Sequence, residues 1–159
     1  MTEWLTEAEQ ATWRGVLRMH ANLMTAMAQG LKTDSDMSLA DFEVLAVLSE
    51  APDAELRARD LRFDLQWEKS RLAHQVRRME ERGLVRRDAC VEDGRAPLVC
   101  LTEAGRNAID AAAPRHVARV RELFFDVLSP EQVQVLGEAA AAVLENVGRF
   151  AGTDDDPDC

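Results

Sequence analysis

The sequence predicts a mainly α-helical fold with one short β-hairpin. Apolar residues recur at helical spacing through most of its 159 residues. A basic amphipathic segment, residues 70–82, leads into strand-like sequence, and Asp93-Gly94 is a strong hairpin turn signal. Long helical segments precede and follow this central part. Together these features predict a winged helix-turn-helix, whose wing is the hairpin, flanked by long N- and C-terminal dimerisation helices.

The first predicted helix covers residues 6–31. Its apolar positions, from Trp13 to Leu31, form a stripe several turns long, and Gly30 marks its weak end. A helix of this length suits a dimerisation element. His20 lies on the same stripe, where a histidine is more typical of a buried core residue than of a ligand.

The predicted winged helix-turn-helix unit covers residues 38–101. Ser38 and Asp41 have the spacing of a capping box, which starts a helix that ends before Pro52. Two further helices are predicted, over residues 56–63 and 70–82. A glycine directly after the last of them is a typical helix stop, and the wing strands follow.

The segment 70–82 carries two distinct faces. On a period of about 3.6 residues per turn, Leu72, Val76 and Met79 share one face, which predicts burial against the core. The neighbouring face carries Arg, His and Gln, the side-chain types that read base edges in the major groove of DNA. A basic face of this kind is often only solvated, but the hairpin that follows favours DNA binding.

Several residues are candidates for DNA contact. We expect three to read bases in the major groove: Arg71, His74 and Gln75. We expect four others to hold phosphates: Ser70, Arg77, Arg78 and Arg86. Arg95, at the tip of the hairpin, is predicted to enter the minor groove, and the alternative is an exposed loop charge paired with Asp93.

The start of this segment and three motifs after it carry a family resemblance. The segment starts with Ser70-Arg71-Leu72, and the motifs are Gly83-Leu84-Val85-Arg86-Arg87, Asp93-Gly94-Arg95 and Leu101-Thr102-Glu103-Ala104-Gly105. In this pattern the chain resembles the MarR family of transcriptional regulators over nearly its whole length. The resemblance implies a dimeric winged-helix DNA binder, often a repressor released by a small phenolic or anionic ligand or by cysteine oxidation. Trp67-Glu68-Lys69 departs from the family, in which small polar residues are common at this point.

Residues 102–150 predict two more helices. The first, over residues 102–125, contains Pro114, which predicts a kink or a break. The second starts at Ser129-Pro130 with a capping box. Their apolar surface and that of the first helix predict a dimer interface, with packing inside one chain as the alternative. We expect one domain over residues 1–151 and a disordered acidic tail over residues 152–159.

The charge distribution is uneven. The whole chain carries −10, but residues 54–100 hold eleven Lys or Arg against nine Asp or Glu, a balance of +2, while the rest carries −12. A chain that is locally basic and globally acidic fits a homodimer that presents one face to double-stranded DNA. The acidic total fits an alternative too, a winged-helix protein-interaction module without specific DNA binding.

Other classes of function lack support in the sequence. No catalytic motif, phosphate-binding glycine loop or C-x-x-C pair is present, so we expect neither an enzyme nor a cofactor. The three histidines are scattered, which argues against a metal site. No apolar run is long enough for a membrane span and the N-terminus lacks signal-peptide features, so a cytoplasmic protein without a membrane partner is expected.

Two modes of regulation are possible. Following the resemblance, Trp13, Arg18, His20 and Met24 are predicted to line a site for a small phenolic or carboxylate effector. Cys90 and Cys100 flank the hairpin turn almost symmetrically, so an alternative is a redox switch in which they lie opposite each other on the wing. Ordinary reduced thiols are the other interpretation, and the first helix lacks the cysteine that oxidation sensors of the family carry there.

Overall fold

The computed structural model describes residues 3–88 and 97–151. In these ranges the helices and strands follow in the order α1 (Glu7–Ser35), α2 (Leu39–Glu50), β1 (Glu55–Arg57), α3 (Ala58–Leu65), α4 (Lys69–Glu81), β2 (Val85–Asp88), β3 (Leu98–Leu101), α5 (Glu103–Leu123) and α6 (Pro130–Ala151). The predicted mainly helical class with a β wing and long terminal helices is confirmed. The chain divides into two compact units, Met1–Arg119 and Val120–Cys159.

Helix α1 begins with a capping box. The Thr6 hydroxyl accepts from the Glu9 backbone N–H at 3.3 Å, and the Glu9 carboxylate accepts from the Thr6 N–H at 2.7 Å. The helix runs past Gly30 to Ser35, so Gly30 does not end it. A Cβ at Gly30 would lie 2.2 Å from Arg119 Nε, and this glycine therefore leaves room for the Arg119 side chain of α5.

Helix α2 forms the centre of the core. Its predicted capping box is present, since Ser38 Oγ accepts from Asp41 N at 3.1 Å and Asp41 Oδ2 accepts from Ser38 N at 3.2 Å. Val44, Leu45 and Leu48 are completely buried. They belong to a cluster that also draws residues from α3, α4, β2, β3 and α5, so most elements of this unit share one hydrophobic core.

The wing sheet contains a strand that the sequence did not predict. Residues 56 and 57 were predicted to begin a helix, which is wrong. Residues 55–57 form β1, which pairs with β3, while β2 pairs with the other edge of β3. Leu56 lies opposite Val99 in this register. A three-residue strand is too short to show alternation, and it exists here because β3 offers an unpaired edge.

The junction between the wing and α5 explains one of the sequence motifs. Thr102 Oγ1 donates to the carbonyls of Gly83 and Leu84, at 2.6 and 2.9 Å, and accepts from Gly105 N at 3.0 Å. A Cβ at Gly105 would lie 2.1 Å from the Leu84 carbonyl oxygen. The Thr-x-x-Gly spacing therefore fastens the start of α5 to the chain that leaves α4.

Helix α5 is continuous through Pro114, where a kink or a break was expected. Proline leaves the carbonyl of Asp110, four residues earlier, without its helical donor. Both residues are exposed, so water can satisfy that carbonyl and the helix tolerates the proline. In the part of the chain that the structure describes, no helix is both long and apolar enough to cross a membrane.

The unit Val120–Cys159 contains the end of α5 and all of α6. The predicted capping box of α6 is present, with Ser129 Oγ accepting from Gln132 N at 3.2 Å and Gln132 Oε1 accepting from Ser129 N at 2.8 Å. Four aliphatic side chains of α6 are strongly exposed: Val135, Val143, Leu144 and Val147. The predicted acidic tail, residues 152–159, lies outside the described residues.

Candidate nucleic-acid interface

The turn between α3 and α4 fixes where α4 lies. Gln66 adopts a left-handed conformation with φ 54°, and its N–H donates to the Phe63 carbonyl at 3.1 Å. The N–H of Trp67 donates to the Arg62 carbonyl, also at 3.1 Å. These two bonds form a Schellman motif with Gln in the position where Gly is usual. Helix α4 thus starts at a defined point, which places it like the second helix of a helix-turn-helix.

The two faces of α4 differ as the sequence predicted. Leu72, Val76 and Met79 are buried in the core cluster. The predicted contact residues Ser70, Arg71, His74, Arg77 and Arg78 are all exposed. One basic face of α4 is therefore open to solvent and rigidly supported from behind.

Two of the exposed side chains have neighbours on the same helix. Arg77 Nη2 lies 3.1 Å from His74 Nδ1, and its Nε lies 4.0 Å from a Glu81 carboxylate oxygen. Exposed contacts of this kind are weak, so both side chains can exchange them for phosphate or base contacts. The guanidinium of Arg71 instead lies over the ring of Trp67.

Gln75 does not lie on the exposed face, which corrects its predicted role as a base reader. It is only 7% exposed, and its Nε2 donates to Asp41 Oδ1 at 2.5 Å. The helical period places Gln75 beside the apolar stripe, and the buried carboxylate of Asp41 decides which way it turns. Because a buried carboxylate needs donors, the amide is held inside.

Asp41 is the centre of a buried polar cluster that the sequence did not reveal. Its carboxylate, 2% exposed, accepts from both terminal nitrogens of Arg82, the Nη1 distance being 3.1 Å. Burial raises the pKa of Asp41, but hydrogen bonds from Arg82 and Ser38 outweigh it and hold the pKa below the ordinary value. The cluster connects the start of α2 to the end of α4, about forty residues apart in the sequence. Helical periodicity relates only residues within one helix, so it does not predict this contact.

The wing strand β2 carries two arginines with different surroundings. Arg87 Nε and Nη2 both donate to one carboxylate oxygen of Glu80 on α4, Oε2, at 2.9 and 2.6 Å, which lowers the pKa of Glu80. Arg86, a predicted phosphate contact, is exposed and pairs with Asp88 at 2.5 Å. Arg95, the predicted minor-groove contact, lies outside the described residues.

The predicted alternative in which Cys90 lies opposite Cys100 involves a residue outside the described ranges, whereas Cys100 lies in β3. Its Cα partners are Arg86 on β2 and Glu55 on β1. The thiol is buried 3.4 Å from a Glu55 carboxylate oxygen and 3.5 Å from one of Asp88. Burial, with the hydrogen bond to Glu55, raises the pKa of Cys100 to about 11, which leaves little reactive thiolate near neutral pH. Cys90 and Cys159 lie outside the described residues.

The four residues predicted to bind an effector lie at or near the surface of the single chain. Trp13, Arg18 and His20 are exposed and Met24 is half-buried, so His20 is not a core residue within the single chain. A crevice between α1 and α5 lies further along and contains none of them. It is lined by Met27, Gly30, Leu31, Asp34, Ser35, Ala112, Arg115, His116 and Arg119.

The polar part of this crevice is partly paired. Arg119 Nη2 donates to Asp34 at 3.0 Å, and Arg115 lies 3.8 Å from the same carboxylate. His116 packs on Phe42 with ring centroids 4.1 Å apart, and its Nδ1 is buried without a hydrogen-bond partner. Burial, with the nearby Arg119, lowers the pKa of His116, so the ring is neutral near pH 7.

A three-stranded wing and a basic helix seated on a Schellman turn define a winged helix-turn-helix DNA-binding protein. A sequence profile described as MarR family matches residues 35–96. The regulator AbsC of Streptomyces coelicolor, itself of the MarR family, is 38% identical, with a TM-score of 0.87 over 92% of this chain and 98% of its own. The chain therefore belongs to the MarR family, as the motifs predicted.

Two further structures are similar. A second MarR family transcriptional regulator from Streptomyces coelicolor, solved in complex with DNA, is 36% identical, with a TM-score of 0.87 over 91% of both chains. CouR of Rhodococcus jostii shares the fold at 23% identity, with a TM-score of 0.69 over 80% of this chain and 87% of its own. A search of curated proteins found no match. The protein is a DNA-binding transcriptional regulator and not an enzyme.

Proposed function

We propose that this protein is a homodimeric repressor that binds a pseudo-palindromic operator and is released by a small aromatic or anionic ligand. The observation that carries the DNA-binding part is the exposed basic face of α4 above a buried apolar face. Arg71 and His74 read bases in the major groove, while Ser70, Arg77, Arg78 and Arg86 hold phosphates. Arg95 enters the minor groove, and Gln75 serves the core instead. The Streptomyces relative solved with DNA supports the proposal that this chain binds DNA.

Dimerisation follows from apolar side chains that the single chain leaves uncovered. In the first half of α1, Trp13, Val16 and Leu17 are 56%, 44% and 49% exposed. On α6, Leu144 is 69% exposed. Exposed apolar rows on long helices are typical of interfaces between subunits, and a second copy of this chain covers them. A symmetric dimer then presents two α4 helices to two half-sites.

Effector binding is assigned to the region of the crevice between α1 and α5, which in the single chain is too narrow for a water molecule and therefore has to open to admit an effector. The unpartnered His116 Nδ1 and the neighbouring arginines offer polar contacts for a phenol or a carboxylate, and Met27 and Leu31 offer an apolar wall. CouR, which shares the fold, was solved with p-coumaroyl-CoA bound. We expect 4-hydroxybenzoate, as a phenolic carboxylate probe, to release DNA from the wild type and to act more weakly on His116→Ala.

The test of DNA binding is fluorescence anisotropy of the full chain on its own upstream DNA at several salt concentrations. Arg78→Ala is expected to weaken binding to all sequences. It is also expected to reduce the salt slope, the dependence of log K on log salt concentration, by about one. The matched control is Arg14→Ala, which removes an exposed arginine of α1 and is expected to leave the slope unchanged. Binding without any sequence preference in the wild type would instead favour a protein-interaction module.

The test of dimerisation is light scattering coupled to size-exclusion chromatography. Leu17→Glu places a charge on the exposed row of α1 and is expected to shift the protein toward a monomer. Phe63→Glu changes a side chain that is 73% exposed on α3, outside the proposed interface, and is expected to leave the mass unchanged. Equal masses for the two variants would contradict the assigned interface.

A further inference from the structure

The side chain of Trp67 forms a platform under Arg71. The guanidinium carbon of Arg71 lies 4.0 Å from the centroid of the Trp67 ring, within the range of a cation–π interaction. Arg71 is exposed, whereas Trp67 is only 8% exposed and belongs to the core cluster. A rigid core side chain therefore supports a cation on the surface of α4.

The platform is fixed by the local fold. The backbone of Trp67 is held by the Schellman motif at the end of α3. Glu68 is the N-cap of α4, so Trp67 and Leu72 occupy the two positions of a hydrophobic staple, and both are buried in the same cluster. The ring cannot leave Arg71 without disturbing the start of α4.

The remaining surroundings leave the donors of Arg71 available. None of the ion pairs in residues 3–88 and 97–148 involves Arg71. Glu43 of α2 is near enough to respond to its charge: burial raises the pKa of Glu43 and Arg71 offsets part of that rise. Arg71 thus has an aromatic face beneath it, and no carboxylate among the described residues occupies its hydrogen-bond donors.

We propose that Trp67 is a specificity-determining positioning residue, which holds Arg71 ready for bidentate hydrogen bonds to guanine. This inference rests on the proposed function, in which Arg71 reads a base. An arginine that is already stacked loses less side-chain freedom when it binds, so its base contact becomes stronger. Phosphate contacts elsewhere on α4 do not depend on the Trp67 ring. Loss of the ring is therefore expected to reduce sequence preference and to leave the affinity for non-specific DNA unchanged. Support of Arg71 is thus the role that we assign to Trp67, the first residue of the Trp67-Glu68-Lys69 segment that departs from the family pattern.

The experiment selects preferred duplexes from a pool with a randomised centre, using the full-length protein and sequencing before and after binding. Arg71→Ala identifies the base-pair position at which guanine preference disappears. Trp67→Leu is expected to weaken the same preference about 3- to 10-fold, and Trp67→Phe by less. The salt slope on non-specific DNA is expected to stay unchanged in both Trp67 variants. Combining Trp67→Leu with Arg71→Ala is expected to add nothing at that position.

Full guanine preference in folded Trp67→Leu, or additive effects in the double variant, would overturn the inference. Circular dichroism establishes whether Trp67→Leu folds. If it does not, trifluorotryptophan is incorporated at position 67 in a Trp4→Phe, Trp13→Phe background, because fluorine weakens the ring's attraction for cations and keeps its shape. The comparison is with the same double variant containing ordinary tryptophan, since Trp13 lies in the proposed dimer interface. Unaltered preference there would again overturn it. A wild type without any preferred sequence would refute the proposed function together with the inference, whereas unchanged Trp67 variants would refute the inference alone.

Discussion

Replacing Arg82 by alanine is expected to destabilise the protein more than replacing Arg87, although the guanidinium of each arginine donates two hydrogen bonds to a carboxylate. The difference lies in the acceptor. Asp41, the partner of Arg82, has a side chain only 3% exposed, whereas that of Glu80, the partner of Arg87, is 33% exposed. Loss of Arg82 leaves a buried charge with fewer donors, whereas loss of Arg87 leaves a carboxylate that water can reach.

The expected magnitudes follow from that contrast. Removal of one partner from a fully buried pair costs about 3–5 kcal/mol. Arg82 itself is 43% exposed, and Ser38 and Gln75 still donate to Asp41, which reduces the loss. We therefore expect Arg82→Ala to lower the free energy of unfolding by about 2–3 kcal/mol. Arg87→Ala is expected to lower it by about 0.2–1 kcal/mol.

The measurement is urea denaturation followed by circular dichroism, with all proteins at one fixed concentration because dimerisation adds to apparent stability. A double-mutant cycle with Asp41→Asn isolates the coupling between the two side chains. If Arg82→Ala lost no more stability than Arg87→Ala, the buried carboxylate would not be an important support of α4, and the reasoning would fail.

Three further predictions concern the same framework. The pKa of Asp41 is lower in the folded state than its ordinary value of 3.8, so the ionised carboxylate stabilises the fold above that pH, and this stability is lost as pH falls through the folded-state pKa. Urea titrations of wild type and Asp41→Asn should therefore show a stability difference that is constant from about pH 5 to 7 and shrinks below about pH 5. Gly105→Ala forces a Cβ to within 2.1 Å of the Leu84 carbonyl oxygen and should lower the melting temperature. Gly137→Ala, with open space around it, should instead stabilise the protein by about 0.5–1 kcal/mol through helix propensity. A higher melting temperature for Gly105→Ala than for Gly137→Ala would contradict the packing at Gly105. Cys100, with a buried thiol of pKa about 11, should resist Ellman's reagent in the native protein and react after denaturation, and rapid native labelling at Cys100, located by mass spectrometry, would contradict this.

The sequence by itself determined the class of fold and most helix starts. Capping boxes at Ser38 and Ser129 act within four residues, and the apolar stripe of α4 follows a local period, so both were predictable from neighbouring residues. The wing motifs were equally local, and they led directly to the MarR family. The exposure of the α4 arginines followed from the same period.

Only the tertiary structure decided which polar residues turn inward. Gln75 stands at the border of the apolar stripe, and what turns it inward is a buried acceptor on Asp41, thirty-four positions earlier. The strand β1 and the role of Gly30 likewise depend on partners far along the chain, at Val99 and Arg119. The support of Arg71 depends on a turn that seats Trp67 beneath it. Pairing, burial and close approach join residues that sequence periodicity does not relate, and folding is what brings them together.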